Sequence, residues 1–302
     1  MIIEAYKTQD ESFRWLDVVD PTGSDLITIT KKYDLQEEFI RSVLDQDHLP
    51  KYEESGNQTF IVLRAFNVDS PYKAATLRQL TQKISIFFGP DYLITIHRKE
   101  QPYLIHIRDR WVKNLSESYP DILPPLLAKI VSEALSTYNQ VLNDCEDRLE
   151  HYEKMMFQEK TTQRSIQQKF IVQRKTYVVK RVLNLMLDVI NDLKIIHHYD
   201  PSLFQSIKEQ CKSEKFQAEN TSAHSNDLIN LVLFIASHST NEIIRLLTVV
   251  SVFFLPLSFV SSIYDMHFSS YKYGYLFFWA LLVAITILLF IIFKRKGWLW
   301  TV

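Results

Sequence analysis

Residues 241–268, NEIIRLLTVVSVFFLPLSFVSSIYDMHF, constrain this chain more than any other stretch. Nineteen consecutive uncharged residues lie between Arg245 and Asp265, and the apolar core 246–260 is interrupted only by Thr248, Ser251, Pro256 and Ser258. At helical rise that is about one bilayer thickness. Steps of three and four from Asn241 pass through Ile244, Thr248, Ser251, Leu255, Ser258, Ser262 and Asp265. Most polar atoms of a membrane-length segment therefore share one helical face. Lipid offers such a face no partner, whereas a water-filled path does. Close helix packing also uses Ser and Thr, and the stripe alone is compatible with either.

A second uncharged run of nineteen residues covers 275–293. Tyr271, Tyr273 and Tyr275 at one end, with Trp298 and Trp300 at the other, resemble interfacial belts. Lys294-Arg295-Lys296 follows at once, and Arg245 precedes the first run. Positive charge on the inner side places both termini in the cytoplasm and the 265–274 loop across the bilayer. The expectation is a multi-pass protein of the cell (inner) membrane, with the lipid bilayer as its first partner.

Elsewhere the composition excludes more than it assigns. Lys plus Arg number 34 against 35 Asp plus Glu, a net charge of −1 that argues against nucleic acid as a partner. The five glycines are few for phosphate-cradling loops, and no GxxxxGK[ST] occurs. Cys145 and Cys211 form no CxxC pair or disulfide framework, which suits a reducing compartment. The start, MIIEAYKTQDESF, has neither a signal nor a transit pattern.

Residues 1–118 read as a mixed α/β domain. Strands are expected at 2–6, 15–19, 59–66, 83–88 and 92–97, rich in β-branched and aromatic residues. Helices are expected at 24–33, with Ser24 as N-cap, and at 36–45. Gly89-Pro90-Asp91 is a tight turn between two strands. His48, His97 and His106 are scattered and read as structural or surface residues. Residues 119–200 read as an antiparallel helical hairpin, linked at 157–161. Its first helix, 123–156, carries Leu126, Ile130, Ala134, Thr137, Val141, Cys145 and Leu149 on one line. Its second, 166–196, carries Ile166, Phe170, Gln173, Tyr177, Lys180, Leu183, Leu187 and Ile190. The acids Asp144, Glu146, Asp147, Glu150 and Glu153 read as a solvated face. His197-His198 precedes Pro201 as a helix end, since adjacent helical residues do not chelate together easily.

From Ser202 to Ser262 the only breaker is Pro256. A stalk helix, 201–240, is thus expected to run directly into the first span, 241–264. Extended backwards, the stripe continues through Ser237, Phe234, Asn230, Asp227, Ala223 and Asn220. One copy would conduct nothing, whereas several copies around an axis would make a hydrated funnel. The second span, 275–293, is followed by the basic tail 294–302.

The sequence at this point resembles the CorA-type family of divalent-cation transporters over nearly its whole length. The likeness is carried by Trp15-Leu16-Asp17 with Asp20-Pro21-Thr22, by Leu49-Pro50-Lys51-Tyr52-Glu53, and by Ile94-Thr95-Ile96-His97. It continues through Thr240-Asn241-Glu242-Ile243, Leu247-Thr248, Leu255-Pro256-Leu257, Ile263-Tyr264 and the closing segment 294–298. Each motif is weak alone, and their order with this topology is specific. The resemblance implies an α+β membrane protein. It would have an N-terminal cytoplasmic αβα funnel domain, a long stalk helix continuing into the first span, and a C-terminal two-helix transmembrane hairpin. It further implies a homopentamer. Asn241 would form a ring at the inner mouth, Ile244 and Leu255 apolar constrictions, and Ser251 and Ser258 hydroxyl rings.

The family signature at the outer mouth, Tyr-Gly-Met-Asn-Phe, stands here as Tyr264-Asp265-Met266-His267-Phe268. An imidazole at His267 suits Zn²⁺, Ni²⁺ or Co²⁺ better than Mg²⁺. A carboxylate at Asp265 adds negative charge that attracts cations generally. Altered selectivity and lost transport both fit this change. The stalk segment Phe204-Gln205-Ser206-Ile207 has no carboxylate where the family can hold a closing Mg²⁺, and 269–272 has no acid. The expected function is passive influx of hydrated divalent cations, Mg²⁺ first and transition metals second, with Asn241, Asp265 and His267 as metal-contacting residues. No resident cofactor is expected. The alternative is a non-conducting, membrane-anchored sensor or scaffold. An enzyme ranks third, because no nucleophile–base pair or metal-ligand spacing appears in the first 240 residues.

Overall fold

The structure, a computed structural model, describes residues 1–112, 121–157, 163–196, 201–267 and 274–295. They divide into two compact units, 1–229 and 230–302. The first unit is built on a six-stranded sheet. Its strands are β1 (Ile2–Lys7), β2 (Arg14–Val19), β3 (Lys51–Ser55), β4 (Gln58–Phe66), β5 (Thr81–Phe88) and β6 (Tyr92–His97), in the order β1-β2-β6-β5-β4-β3. Only β2 and β6 run parallel, with Leu16 opposite Ile94. The β5–β6 hairpin turns at Gly89, whose N–H donates to the Tyr92 carbonyl at 3.0 Å. A Cβ at Gly89 would lie 2.8 Å from the Tyr92 ring, so the turn requires glycine.

Both faces of the central strands are covered, which is why they read as continuous apolar runs rather than alternating ones. Leu16, Val18, Phe60, Val62, Ile94 and Ile96 point to one face, against α1 (Gly23–Tyr33) and α2 (Glu37–Leu44). The N-cap of α1 is Thr22 rather than Ser24. Thr22 Oγ1 accepts from the Asp25 N–H at 3.2 Å, while Asp25 Oδ2 accepts from the Thr22 N–H at 3.0 Å. That reciprocal box satisfies two otherwise unpaired donors, which Ser24 could not do from inside the first turn. Three further pieces were not apparent in the sequence: β3, the single turn α3 (Leu77–Leu80), and α4 (Pro102–His106) with the π-helical turn Ile107–Trp111 after it.

The opposite face carries α5 (Leu123–Phe157) and α6 (Gln163–Ile196). The α5 line falls as its periodicity predicts, with Leu126, Ile130, Ala134 and Leu149 fully buried. Thr137 Oγ1 accepts from the Phe66 N–H and Tyr138 Oη donates to the Arg64 carbonyl, each at 2.8 Å, tying α5 to β4. The predicted phase of α6 is wrong in its first half. Phe170 and Tyr177 are half exposed, and the buried line is Val172, Thr176, Val179, Leu183, Met186, Ile190 and Leu193. Lys169 and Lys175 are buried alongside it, their ammonium groups lying over the rings of Tyr152 (6.0 Å) and Tyr72 (5.5 Å). A lysine whose charge rests on an aromatic face occupies a core position that hydropathy assigns to solvent. The 158–162 part of the link and His197-His198 lie outside the described residues.

One 67-residue helix, α7 (Pro201–His267), runs from the first unit into the second, with Pro256 inside it. In the first unit its buried positions are Phe204, Ile207, Cys211, Glu214, Ala218, Thr221, Ser225 and Leu228, alternating steps of three and four. This is a coiled-coil seam, and Ser132 Oγ of α5 donates to Gln210 Oε1 beside it at 2.8 Å. Asn220, Ala223 and Asp227 of the stripe lie on the exposed side. α8 (Gly274–Arg295) is the last described element. Both α7 and α8 contain stretches long and apolar enough to cross a membrane. The helix α7 continues through Asp265, Met266 and His267, which the sequence reading placed in the loop. A charge marks the edge of the hydrocarbon, not the end of a helix, and no glycine or proline intervenes.

Candidate functional site

The candidate site is one face of α7 in the second unit. Ring contacts establish which face meets α8. Phe253 stacks on Phe293 with centroids 5.5 Å apart, and Tyr264 meets Phe278 at 4.4 Å. Val249, Val252, Pro256 and Val260, on the same side as Phe253 and Tyr264, are half-buried. The polar stripe occupies the opposite side. Asn241, Ile244, Leu255, Ser258 and Ser262 are exposed, with Ile244 at 55% and Leu255 at 69%, while Thr248 and Ser251 are half-buried. Thr248 Oγ1 donates to the Ile244 carbonyl at 2.7 Å, and Thr240 Oγ1 to the Ala236 carbonyl at 2.9 Å. Each hydroxyl thereby satisfies its own proton within the helix and turns an oxygen acceptor outward.

Beyond Ser262 the helical register separates the signature residues. Position 265 continues the stripe from 262 by one step of three. Position 267 continues the line 260, 264 that faces α8. Residues 265–267 are described as helix, and Phe268 of the signature lies outside the described residues. Among the described residues no three His, Cys, Asp or Glu side chains gather where they could hold a metal. Within one chain the stripe is a row of single polar groups, not a chelate.

Of His48, His97 and His106, only His97 is built into the core. His97 is buried, its Nδ1 donating to the Lys99 carbonyl at 2.7 Å and its Nε2 lying 2.8 Å from Asp17 Oδ1. Thr95 Oγ1 donates to the same oxygen at 2.6 Å and accepts from Trp15 Nε1 at 3.1 Å. Arg108, from the π-helical turn, approaches Asp17 Oδ2 at 3.4 Å. His106 is exposed, and His48 pairs with Asp45 at 3.7 Å. The acidic run of α5 is mostly solvated, with Asp144 pairing to Arg148 (2.9 Å). Two of its members instead bracket His224 of α7, Glu146 at 2.8 Å and Glu153 at 3.6 Å. Sequence reasoning missed this triplet because its partners are 71 to 78 positions apart. It also missed a basic cavity in the first unit, whose two lysines and three arginines come from β4, α3, β5 and the segment after β6.

A sheet wrapped by helices on both faces, with a long helix feeding a two-helix apolar hairpin, defines a membrane protein with a large N-terminal α/β domain. The family model for the CorA-like Mg²⁺ transporter protein matches residues 10–295, and the chain belongs to that family. Among its relatives, the cobalt/magnesium transport protein CorA of Methanocaldococcus jannaschii is 25% identical over 96% of this chain and 93% of its own length. That of Thermotoga maritima is 20% identical over 94% of this chain and 83% of its own. The complete structure of the M. jannaschii CorA magnesium transporter superposes with a TM-score of 0.77 at 20% identity, covering 98% of this chain and 94% of that one.

Proposed function

We propose that this CorA-family protein assembles as a homopentamer in the cell (inner) membrane and admits hydrated divalent cations passively to the cytoplasm, where both termini lie. The observation that carries this reading is the placement of the polar stripe on the side of α7 opposite α8. If α8 forms an outer ring, that side is the one turned toward a central axis. Asn241 then supplies amide oxygens at the inner mouth. Ile244 and Leu255 form apolar constrictions that gate by dewetting, with Thr248, Ser251, Ser258 and Ser262 offering hydroxyls between and beyond them. Asp265 adds a ring of negative charge at the outer end, while position 267 lies off that row, on the line that faces α8, so His267 could reach an ion only at the mouth. Such spaced neutral oxygens suit an ion that keeps its water shell, as Mg²⁺ does. Family membership makes Mg²⁺ the first ion, and the two CorA relatives described as cobalt/magnesium transport proteins put Co²⁺ beside it. The driving force is electrical, about 4.6 kcal/mol per divalent ion per 100 mV, twice the single-charge value.

The test is uptake into liposomes at an imposed negative interior potential, comparing Mg²⁺, Co²⁺, Ni²⁺ and Zn²⁺. Saturable influx is expected, Mg²⁺ foremost, falling about tenfold in Asn241→Leu, a rise of about 1.4 kcal/mol in the barrier. A preference for Zn²⁺ or Ni²⁺ would transfer the selectivity role to His267. No influx of any ion overturns the proposal.

A further inference from the structure

We infer that the first unit carries a binding site for a small multivalent oxyanion, in a cavity of about 400 Å³ at the sheet edge where β2, β4 and β6 end and β5 begins. Five basic residues line it, Arg64, Arg78, Lys83, Arg98 and Lys99, against one acid, Asp20. Two of the cations are drawn into the protein without a counter-charge. Arg64 is 1% exposed, and its guanidinium donates to the His48 carbonyl (2.8 Å), to Thr81 Oγ1 (2.9 Å) and to the Gln46 carbonyl. The half-buried Lys83 donates to the carbonyls of Ser42 (2.7 Å), Val43 (2.8 Å) and Asp45 at the end of α2. All of these acceptors are neutral. Among the described residues, neither Arg64 nor Lys83 has a carboxylate within ion-pair distance. Asp45 and Asp47 stand nearby outside the lining, pairing with His48 (3.7 Å) and Arg78 (3.0 Å).

Desolvated charge held only by dipoles is unfavourable unless a counter-ion arrives. Burial, and then the nearby Arg64 charge, lower the Lys83 pKa to about 8, a shift that a bound anion would oppose. Arg78 and Arg98 are exposed at the rim, and the Gln46 side-chain amide faces the Arg98 guanidinium. Guanidinium forks match the paired oxygens of phosphates and carboxylates. The volume falls within the range of small-molecule sites, roughly 300–1,000 Å³. Val43, Leu44 and Ile96 add an apolar wall, which fits an organic anion better than a bare inorganic one. The site uses no residue of the ion path, so its failure would leave the transport reading untouched.

Calorimetric titration of the full chain in detergent, stripped of divalent ions on chelating resin, with pyrophosphate and separately with citrate, tests the site. The probe that binds more tightly identifies the ligand as phosphate-bearing or polycarboxylate. Saturable binding at one site per chain is expected, weakened about tenfold (about 1.4 kcal/mol) in Arg78→Ser/Arg98→Ser, whose positions are exposed and do not threaten the fold. The control Lys31→Ser/Lys32→Ser removes the same charge from exposed positions of α1 and should leave affinity unchanged. Absence of saturable binding by either anion, or equal weakening in both double variants, overturns the inference.

Discussion

Glu214 sits where a helical seam ordinarily holds an apolar side chain. It is 4% exposed on the buried line of α7, and its Oε2 has no partner among the described residues. Burial lifts its carboxyl above the ordinary value of 4.5, against a lowering hydrogen bond from Asn139. The folded state therefore keeps a proton that the unfolded chain has lost, and stability falls as pH climbs from about 4.5 through the folded value. Glu214→Leu removes that dependence and fits the seam. It should gain about 1–3 kcal/mol near pH 8, the scale of a buried unsatisfied polar group. Thermal unfolding near pH 5 and near pH 8 checks this. A variant no more stable than the parent at the higher pH would mean that the acid has a partner. Nothing in the sequence flags Glu214, because one acid among apolar, small and hydroxylated residues looks like the solvated edge of the line. The buried Lys169 and Lys175 defeat the same reasoning on α6.

At the scale of elements, what was legible depended on how regular the period is. The strands other than β3, the helix α5 and both apolar helices follow from patterning because tertiary structure agrees with it. The strand β3, KYEES, is too polar to stand out, and only its pairing with β4 makes it a strand. The stripe on α7 was visible as a period, but which side of the helix meets α8 is contained in no local signal. A direct consequence concerns access of water to the two sides of α7. Single cysteines at Ser251 and Ser258, on the stripe, should react with a water-soluble thiol reagent about tenfold faster than cysteines at Val252 and Val260, on the α8 side. The native thiols leave a clean background, since Cys145 and Cys211 are buried and their pKa values are pushed up to about 11 and about 12. Equal reactivity on both sides, or faster reaction at Val252 and Val260, would remove the stripe from any aqueous path.

For the whole molecule, the decisive quantity is how many copies of α7 meet. One α7 presents Asn241, the hydroxyls and Asp265 as a single row, and a single row cannot replace the water around an ion from several directions. A closed ring can, because rotational symmetry turns each position of the row into a ring at one depth. The same closure would bring the stripe's apolar members, Ile244 and Leu255, together at two depths of the axis. In such a ring like charges would face one another across the axis at position 265, so the proposed assembly would have to be held together elsewhere, by packing along the helices. Native mass spectrometry from mild detergent should therefore give a species of five chains that persists in Asn241→Leu and in Asp265→Ala, while influx in both variants falls about tenfold. A monomer or dimer as the largest species would exclude a path built from α7. A pentamer whose assembly collapses in Asp265→Ala would move that residue from the axis to the contact between neighbours.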